Sequence, residues 1–248
     1  MTTSSNEPPE HESSDWFVTT RWTVVRTASG PTSVLAQEAL QRLCTAYWPP
    51  LYAYVRRKGH GEHEAQDLTQ EFFARLLARN DFAGLDPGRG RFRAFLLASM
   101  NHFLAKEWRK AATLKRGAGQ PAVSLDTVLA ERCYATLASV EATPERLFDR
   151  RWAETILESA GNRLRAEFVS QGNDAIFRDL NTFLSVPPGS GDYAAVAVRL
   201  NTTEAAVAKS VERLRRRYRE LVRDEIAQTV STPAELQEEL RYLLEVMA

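Results

Sequence analysis

From Phe92 to Arg116 the chain sets Phe92, Phe95, Leu96, Met100, Phe103 and Leu104 at i, i+3, i+4, i+8, i+11 and i+12. That spacing puts all six on one side of a 3.6-residue helix, a side that has to face a core. The other periodic segments have the same spacing, and strand-like alternation with paired turn signals is absent, so the expected fold is all-α. The far end of the Phe92 helix has a different character. Between Arg89 and Arg116 stand Arg89, Arg91, Arg93, Lys106, Arg109, Lys110, Lys115 and Arg116 against the single acid Glu107. A positive concentration of this kind inside a neutral chain suits phosphate. Trp108, placed among Lys106, Arg109 and Lys110, adds a face on which an unpaired base can stack.

The chain balances 32 Lys and Arg against 32 Asp and Glu, so it is not built to coat nucleic acid over its whole surface. The charge is instead segregated. Glu62 to Ala74 carries Glu62, Glu64, Asp67 and Glu71 with no Lys or Arg. Asp224 to Ala248 carries six acids (Asp224, Glu225, Glu235, Glu238, Glu239 and Glu245) and only Arg241. Alternating acidic and basic segments imply more than one kind of partner.

A length of 248 residues fits two small domains. With 44% apolar residues real cores are expected, and no apolar run approaches the roughly 18 residues that would span a bilayer. No membrane contact is therefore expected. The opening MTTSSNEPPEHESSD lacks both a basic region and an apolar stretch, and reads as a disordered acidic tail over residues 1–15 rather than a targeting signal. Cys44 and Cys133 do not make a disulfide framework; they point to a reducing cytoplasm and to use as small buried hydrophobes.

A first helical domain is expected over 16–118, interrupted by the Gly- and Pro-rich loop NDFAGLDPGRGR. Residues 119–143, with glycines, a proline and weak periodicity, are the expected flexible linker. A second helical domain covers 144–230 and breaks at VPPGSGD. After that break, DYAAVAVRLNTTEAAVAKSVERLRRRYREL divides into a short helix, a tight turn and a longer helix, the helix-turn-helix pattern. Ala197 is small where two helices cross, Leu200 anchors the turn, and Asn201 stands where positive φ is needed. Thr202 or Thr203 caps the next helix, with Glu204 favouring its N-terminus. Val207, Val211, Leu214, Tyr218 and Leu221 form the inner stripe. Lys209, Arg213, Arg216 and Arg217 are left for phosphates or base edges.

The last segment, 231–248, is an amphipathic acidic helix. Thr232 is its N-cap, Pro233 its first helical position and Glu235 follows the cap by three. Leu236, Leu240, Leu243, Leu244 and Met247 make its apolar face.

Signs of enzyme chemistry are thin. His60 and His63 are three apart, but no cysteine and no third ligand stands at zinc spacing, so no metal and no cofactor is expected. The chain has no phosphate-binding loop, no strand leading into GxGxxG and no GxSxG elbow. A catalytic role is not expected.

The order FVTTRWTVV, YWPPLYAYVRRKGHGEHEAQDLTQEFFARLL, GRFRAFLLASMNHFLAKEW, LKRGAG and YAAVAVRLNTTEAAVAKSVERLRRRYREL resembles a sigma-70-family RNA polymerase sigma factor. It is most similar to the extracytoplasmic-function type in the variety common in planctomycetes and myxobacteria, and the likeness runs from about Phe17 to Thr229. The resemblance implies a region 2 domain followed by a region 4 domain. It implies that Asp67, Gln70 and Glu71 dock on the clamp helices of the largest polymerase subunit, with the flap as a second polymerase contact. Asp81 to Arg91 would capture a flipped base. Arg91, Asn101, Lys106, Trp108, Arg109 and Lys110 would grip the minus-ten element. Thr203, Lys209, Arg213, Arg216 and Arg217 would read the minus-thirty-five element. His102 stands where the family usually has asparagine, with Asn101 one place earlier, and Asn201 replaces the common turn glycine.

The expected protein is thus a cytoplasmic, non-catalytic promoter-recognition subunit that helps open DNA when bound to core RNA polymerase. The alternative is an ordinary helix-turn-helix regulator that binds a duplex alone. Control by an anti-sigma protein, by a kinase or by the C-terminal helix is left open by the sequence.

Overall fold

The computed structural model describes residues 34–79, 92–113, 134, 143–230 and 232–248. Among them the chain forms α1 (Val34–Arg57), α2 (Glu62–Arg79), α3 (Phe92–Thr113), α4 (Pro144–Ser170), α5 (Asp174–Leu180), a 3-10 turn (Asn181–Leu184), α6 (Asp192–Arg199), α7 (Glu204–Ala227) and α8 (Pro233–Met247). The fold is all-α, with no strand among the described residues. The acidic tail 1–15, the motif FVTTRWTVV, the loop 81–91 with Arg91, and Cys133 lie outside the described residues, as does most of 119–143.

Helix starts follow one local grammar. Thr143, Thr203 and Thr232 are N-caps whose side-chain oxygens accept from the N–H groups of Arg146 (3.3 Å), Ala206 (3.2 Å) and Glu235 (3.2 Å). Pro144 and Pro233 then occupy first-turn positions, where a missing N–H costs nothing. Pro49 and Pro50 are less usual, standing inside α1. Each removes one ladder hydrogen bond. The surrounding burial of Tyr47, Trp48, Leu51, Tyr52, Tyr54 and Val55 holds that helix together despite the loss.

α4 is the organising helix, packing on α1, α7, α8 and α5. Phe148 meets Tyr54 of α1 edge-on at 6.5 Å between ring centres, while Trp152, Ala153, Ile156, Ala160 and Leu164 are all buried. One hydrophobic core accordingly contains Leu51, Phe72 and Met100 from the first helical block together with Trp152, Val211 and Leu221 from the second. Burial of aromatic and aliphatic side chains on this scale is worth about 1.5–3 kcal/mol per side chain before conformational entropy is subtracted.

α8 lies against α4 and α7. Leu236 and Leu243 are buried and Leu240 is half-buried, but Leu244 and Met247 are exposed, contrary to their expected place on the apolar face. At about 100° per residue Leu244 turns well away from the line through Leu236, Leu240 and Leu243. Glu239, expected on the acidic outer face, is buried instead and faces Arg93 of α3.

Candidate nucleic-acid interface

The basic surface begins with α3. Phe92, Leu96, Met100 and Phe103 are buried, and Phe95 and Leu104 pack half-buried beside them. Phe92 stands edge-on to Tyr47 at 5.1 Å, and Phe103 to Phe72 of α2 at 5.8 Å. These contacts fix the rotation of α3, and so its outer face presents Lys106, Trp108, Arg109 and Lys110, all exposed. Trp108 is 74% exposed, so it is no core residue. Arg109 folds back to donate Nε–H to the Ala105 carbonyl at 3.1 Å.

Two residues of the expected basic surface lie elsewhere. Asn101 is turned toward α1, where its Oδ1 accepts from the Tyr54 hydroxyl at 2.6 Å. Arg93, one of the positive residues of the segment, points inward between Asp149 and Glu239. Both fall near the edge of the apolar stripe, and a one-dimensional pattern does not say what faces the edge of a helix.

The acidic surface is α2. Its buried side holds Ala65, Phe72, Phe73 and Leu76, and Thr69 returns its hydroxyl to the Ala65 carbonyl at 2.7 Å. Glu64, Asp67 and Glu71 are exposed on the other side, and among the described residues Asp67 has no ion-pair partner. Gln70 sits half-buried between them with Oε1 out of contact with solvent and without a hydrogen-bond donor. A buried unpaired carbonyl oxygen is a cost that a docking partner's donor can remove.

The acidic and basic faces are joined by Arg75, which sequence reasoning passed over. It pairs with Glu71 one turn back and reaches Glu107 of α3 at 2.6 Å, while Glu107 also holds Lys110 at 3.0 Å. The Arg75 guanidinium lies 5.1 Å from the centre of the Phe103 ring. Burial alone would raise the Glu107 carboxyl, but hydrogen bonds from Lys110 and Arg75 outweigh it and hold it below the ordinary glutamate value. The available signal was an arginine placed four residues after an acid on a helix face.

The second basic surface is the pair α6 and α7. Ala197 is buried at their crossing, and Asn201 takes φ +48° in the turn. The Thr202 N–H returns to the Ala197 carbonyl at 2.9 Å, closing the C-terminus of α6. Thr203 caps α7, and Val207, Val211, Leu214 and Leu221 are buried with Tyr218 half-buried, the stripe expected from the sequence. Lys209, Arg213 and Arg216 are exposed; Lys209 and Arg216 have no ion-pair partner among the described residues, and Arg213 donates to Ser210 at 3.2 Å. Arg217 is turned the other way. It grips Glu167 of α4 through Nε at 2.9 Å and Nη2 at 2.7 Å, and reaches Glu220 at 2.9 Å. Those hydrogen bonds raise its pKa and, from the other side, lower that of Glu167. Arg215 also serves the framework, donating to the Phe183 carbonyl at 2.8 Å.

Among the described residues no group of three His, Cys, Asp or Glu could hold a metal ion, and no helix is long and apolar enough to cross a membrane. His60, one of the two histidines considered as ligands, sits with Nδ1 3.0 Å from Glu64.

Residues 43–113 match the family model for sigma-70 region 2. The matched stretch contains both the acidic face of α2 and the basic, tryptophan-bearing face of α3. No curated protein and no solved structure matches the chain.

Proposed function

We propose that this chain is an RNA polymerase sigma factor of the extracytoplasmic-function type, in which α2 docks on core polymerase, α3 grips and opens the minus-ten element, and α6 with α7 reads the minus-thirty-five element. The observation that carries the reading is the match to sigma-70 region 2 over residues 43–113, which coincides with two exposed faces of opposite charge. The exposed carboxylates of Asp67 and Glu71 suit a basic protein surface, with Gln70 between them. Lys106, Arg109 and Lys110 suit the phosphates of a strand whose unpaired bases stack on Trp108. Beyond the match, α7, capped by Thr203, presents Lys209, Arg213 and Arg216 on the side away from its buried stripe, a form that fits a major groove. In this role the protein makes and breaks no covalent bond; it positions DNA for the polymerase and lowers the cost of opening it.

The test is reconstitution of the full chain with core RNA polymerase on a pool of promoter sequences. Selective, chain-dependent initiation from a subset with two conserved elements is the expected result. Tight binding of duplex without polymerase, and no initiation with it, would replace this reading with that of an ordinary helix-turn-helix regulator.

A further inference from the structure

The outer side of α7 holds one residue that a phosphate-binding surface does not account for. At about 100° per residue, Ala205, Lys209, Glu212, Arg213 and Arg216 fall within an arc of about 100° that lies opposite the buried Val207, Val211 and Leu214. All five are exposed. Glu212 is the acid among them. The other acids of α7 each have an evident place. Glu204 stands in the first turn, where the helix dipole favours it. Glu220 pairs with Arg217 at 2.9 Å, and Asp224 and Glu225 pair with Arg163 at 3.6 Å and 2.7 Å. Among the described residues Glu212 has no hydrogen-bond or ion-pair partner.

Cations are nevertheless within its reach. Lys209 stands one turn before Glu212 and Arg216 one turn after it, the latter at the i,i+4 spacing that ordinarily favours an acid and a base. Neither closes on it. Arg213 turns to the other side and donates to Ser210 at 3.2 Å, and Arg215 donates to the Phe183 carbonyl at 2.8 Å. The carboxylate is thus left free at the surface that faces DNA.

We propose that Glu212 is a specificity-determining residue that selects cytosine in the minus-thirty-five element. The inference rests on the sigma-factor reading, with α7 in the major groove, and names what one side chain of that helix recognises. A carboxylate brought to DNA is repelled by the phosphates, so its place in the groove is favourable only where a base edge donates to it. Guanine and thymine present acceptors there; cytosine N4 and adenine N6 are the donors. Adenine sets its N7 acceptor beside the amine, which repels a carboxylate, whereas cytosine presents the amine alone. Lys209 and Arg213 carry the complementary preference for guanine O6 and N7. Glu212 therefore acts twice, accepting from the right base and rejecting edges that offer only acceptors. Its charge also weakens the hold of α7 on DNA of any sequence, which widens the gap between a promoter and other duplex.

The experiment compares full-length wild type, Glu212→Gln and Glu212→Ala, each with core RNA polymerase, on promoters randomised through the minus-thirty-five element, with the initiating templates sequenced. Wild type should favour cytosine at one position by about tenfold, in the range of a good base contact. Glu212→Gln should move the preference at that position to adenine, whose N6 and N7 match an amide. Glu212→Ala should lose the preference there, keep it elsewhere, and bind non-promoter duplex several-fold more tightly. Because Glu212 is exposed and unpartnered, all three proteins should melt at the same temperature. Identical selected sequences from the three proteins overturn the proposal, as does a wild-type preference for guanine or thymine at the position the variants alter. If no protein initiates, wild type included, the sigma-factor reading fails. Selection of the same pool by the chain alone then decides whether Glu212 reads a base, by the same shift from cytosine to adenine or its absence.

Discussion

The guanidinium of Arg217 and the carboxylate of Glu167 form a two-point pair across the α4 and α7 helices, with Nε 2.9 Å and Nη2 2.7 Å from the two oxygens. This contact divides the basic residues of α7 into two classes. Arg215 and Arg217 brace the helix against its neighbours, whereas Lys209, Arg213 and Arg216 remain on the outer side.

Substitution should separate these classes. Arg217→Ala is expected to lower thermal stability, by about 0.5–1 kcal/mol because the pair is partly exposed. Arg216→Ala should leave the melting temperature unchanged and weaken upstream promoter binding, with the salt dependence of log Kd shallower by about one. Equal stability losses in the two variants would remove the distinction.

The Glu167 pairing also sets a pH dependence. Its carboxyl pKa is depressed in the folded chain, chiefly by the hydrogen bond from Arg217. The stabilisation is therefore present above the unfolded glutamate value and disappears as pH falls through the folded one. Acid titration of the melting temperature should be flatter in Glu167→Gln than in the wild type, and parallel curves would contradict the assignment.

Trp108 is predicted to act on melting and not on folding. Being 74% exposed, it should tolerate Trp108→Ala without loss of thermal stability. Stacking of a base on an aromatic ring is worth about 1–3 kcal/mol. The variant holoenzyme should accordingly bind promoter yet leave its thymines less reactive to permanganate; unchanged reactivity would deprive Trp108 of its role.

For the acidic face the cleaner probe is Asp67→Lys, because Glu71 is already engaged by Arg75. The single reversal should preserve the circular dichroism spectrum and weaken core-polymerase binding at least several-fold. Affinity equal to wild type in a titration would place docking elsewhere.

Burial pushes the Cys44 thiol up to about 12. In a Cys133→Ser chain, Cys44 should resist maleimide at pH 8 while folded and react promptly in denaturant. Since the folded thiol stays neutral while the unfolded one ionises, its contribution to stability should fall as pH rises through the unfolded cysteine value and beyond. Rapid labelling of the folded chain would show that the thiol is accessible.

Local chemistry sufficed for much of this protein. Apolar spacing gave the all-α class, and threonine followed by proline marked the start of α8. The Asn201 turn and the inner stripe of α7 were legible for the same reason: each depends on residues within a few positions of one another. Side chains at stripe edges were decided only when helices met. Arg93 looked like part of a phosphate-binding run until Asp149 and Glu239, 56 and 146 positions away, enclosed it. Asn101 went to Tyr54, Arg217 to Glu167, and Leu244 was left in water by the way α8 lies on its neighbours. Periodicity tells a helix which side to bury, because that follows from 100° per residue and the cost of wet hydrocarbon. It carries no information about which distant surface arrives there, and for long charged side chains that arrival decides between a partner outside the molecule and one within it.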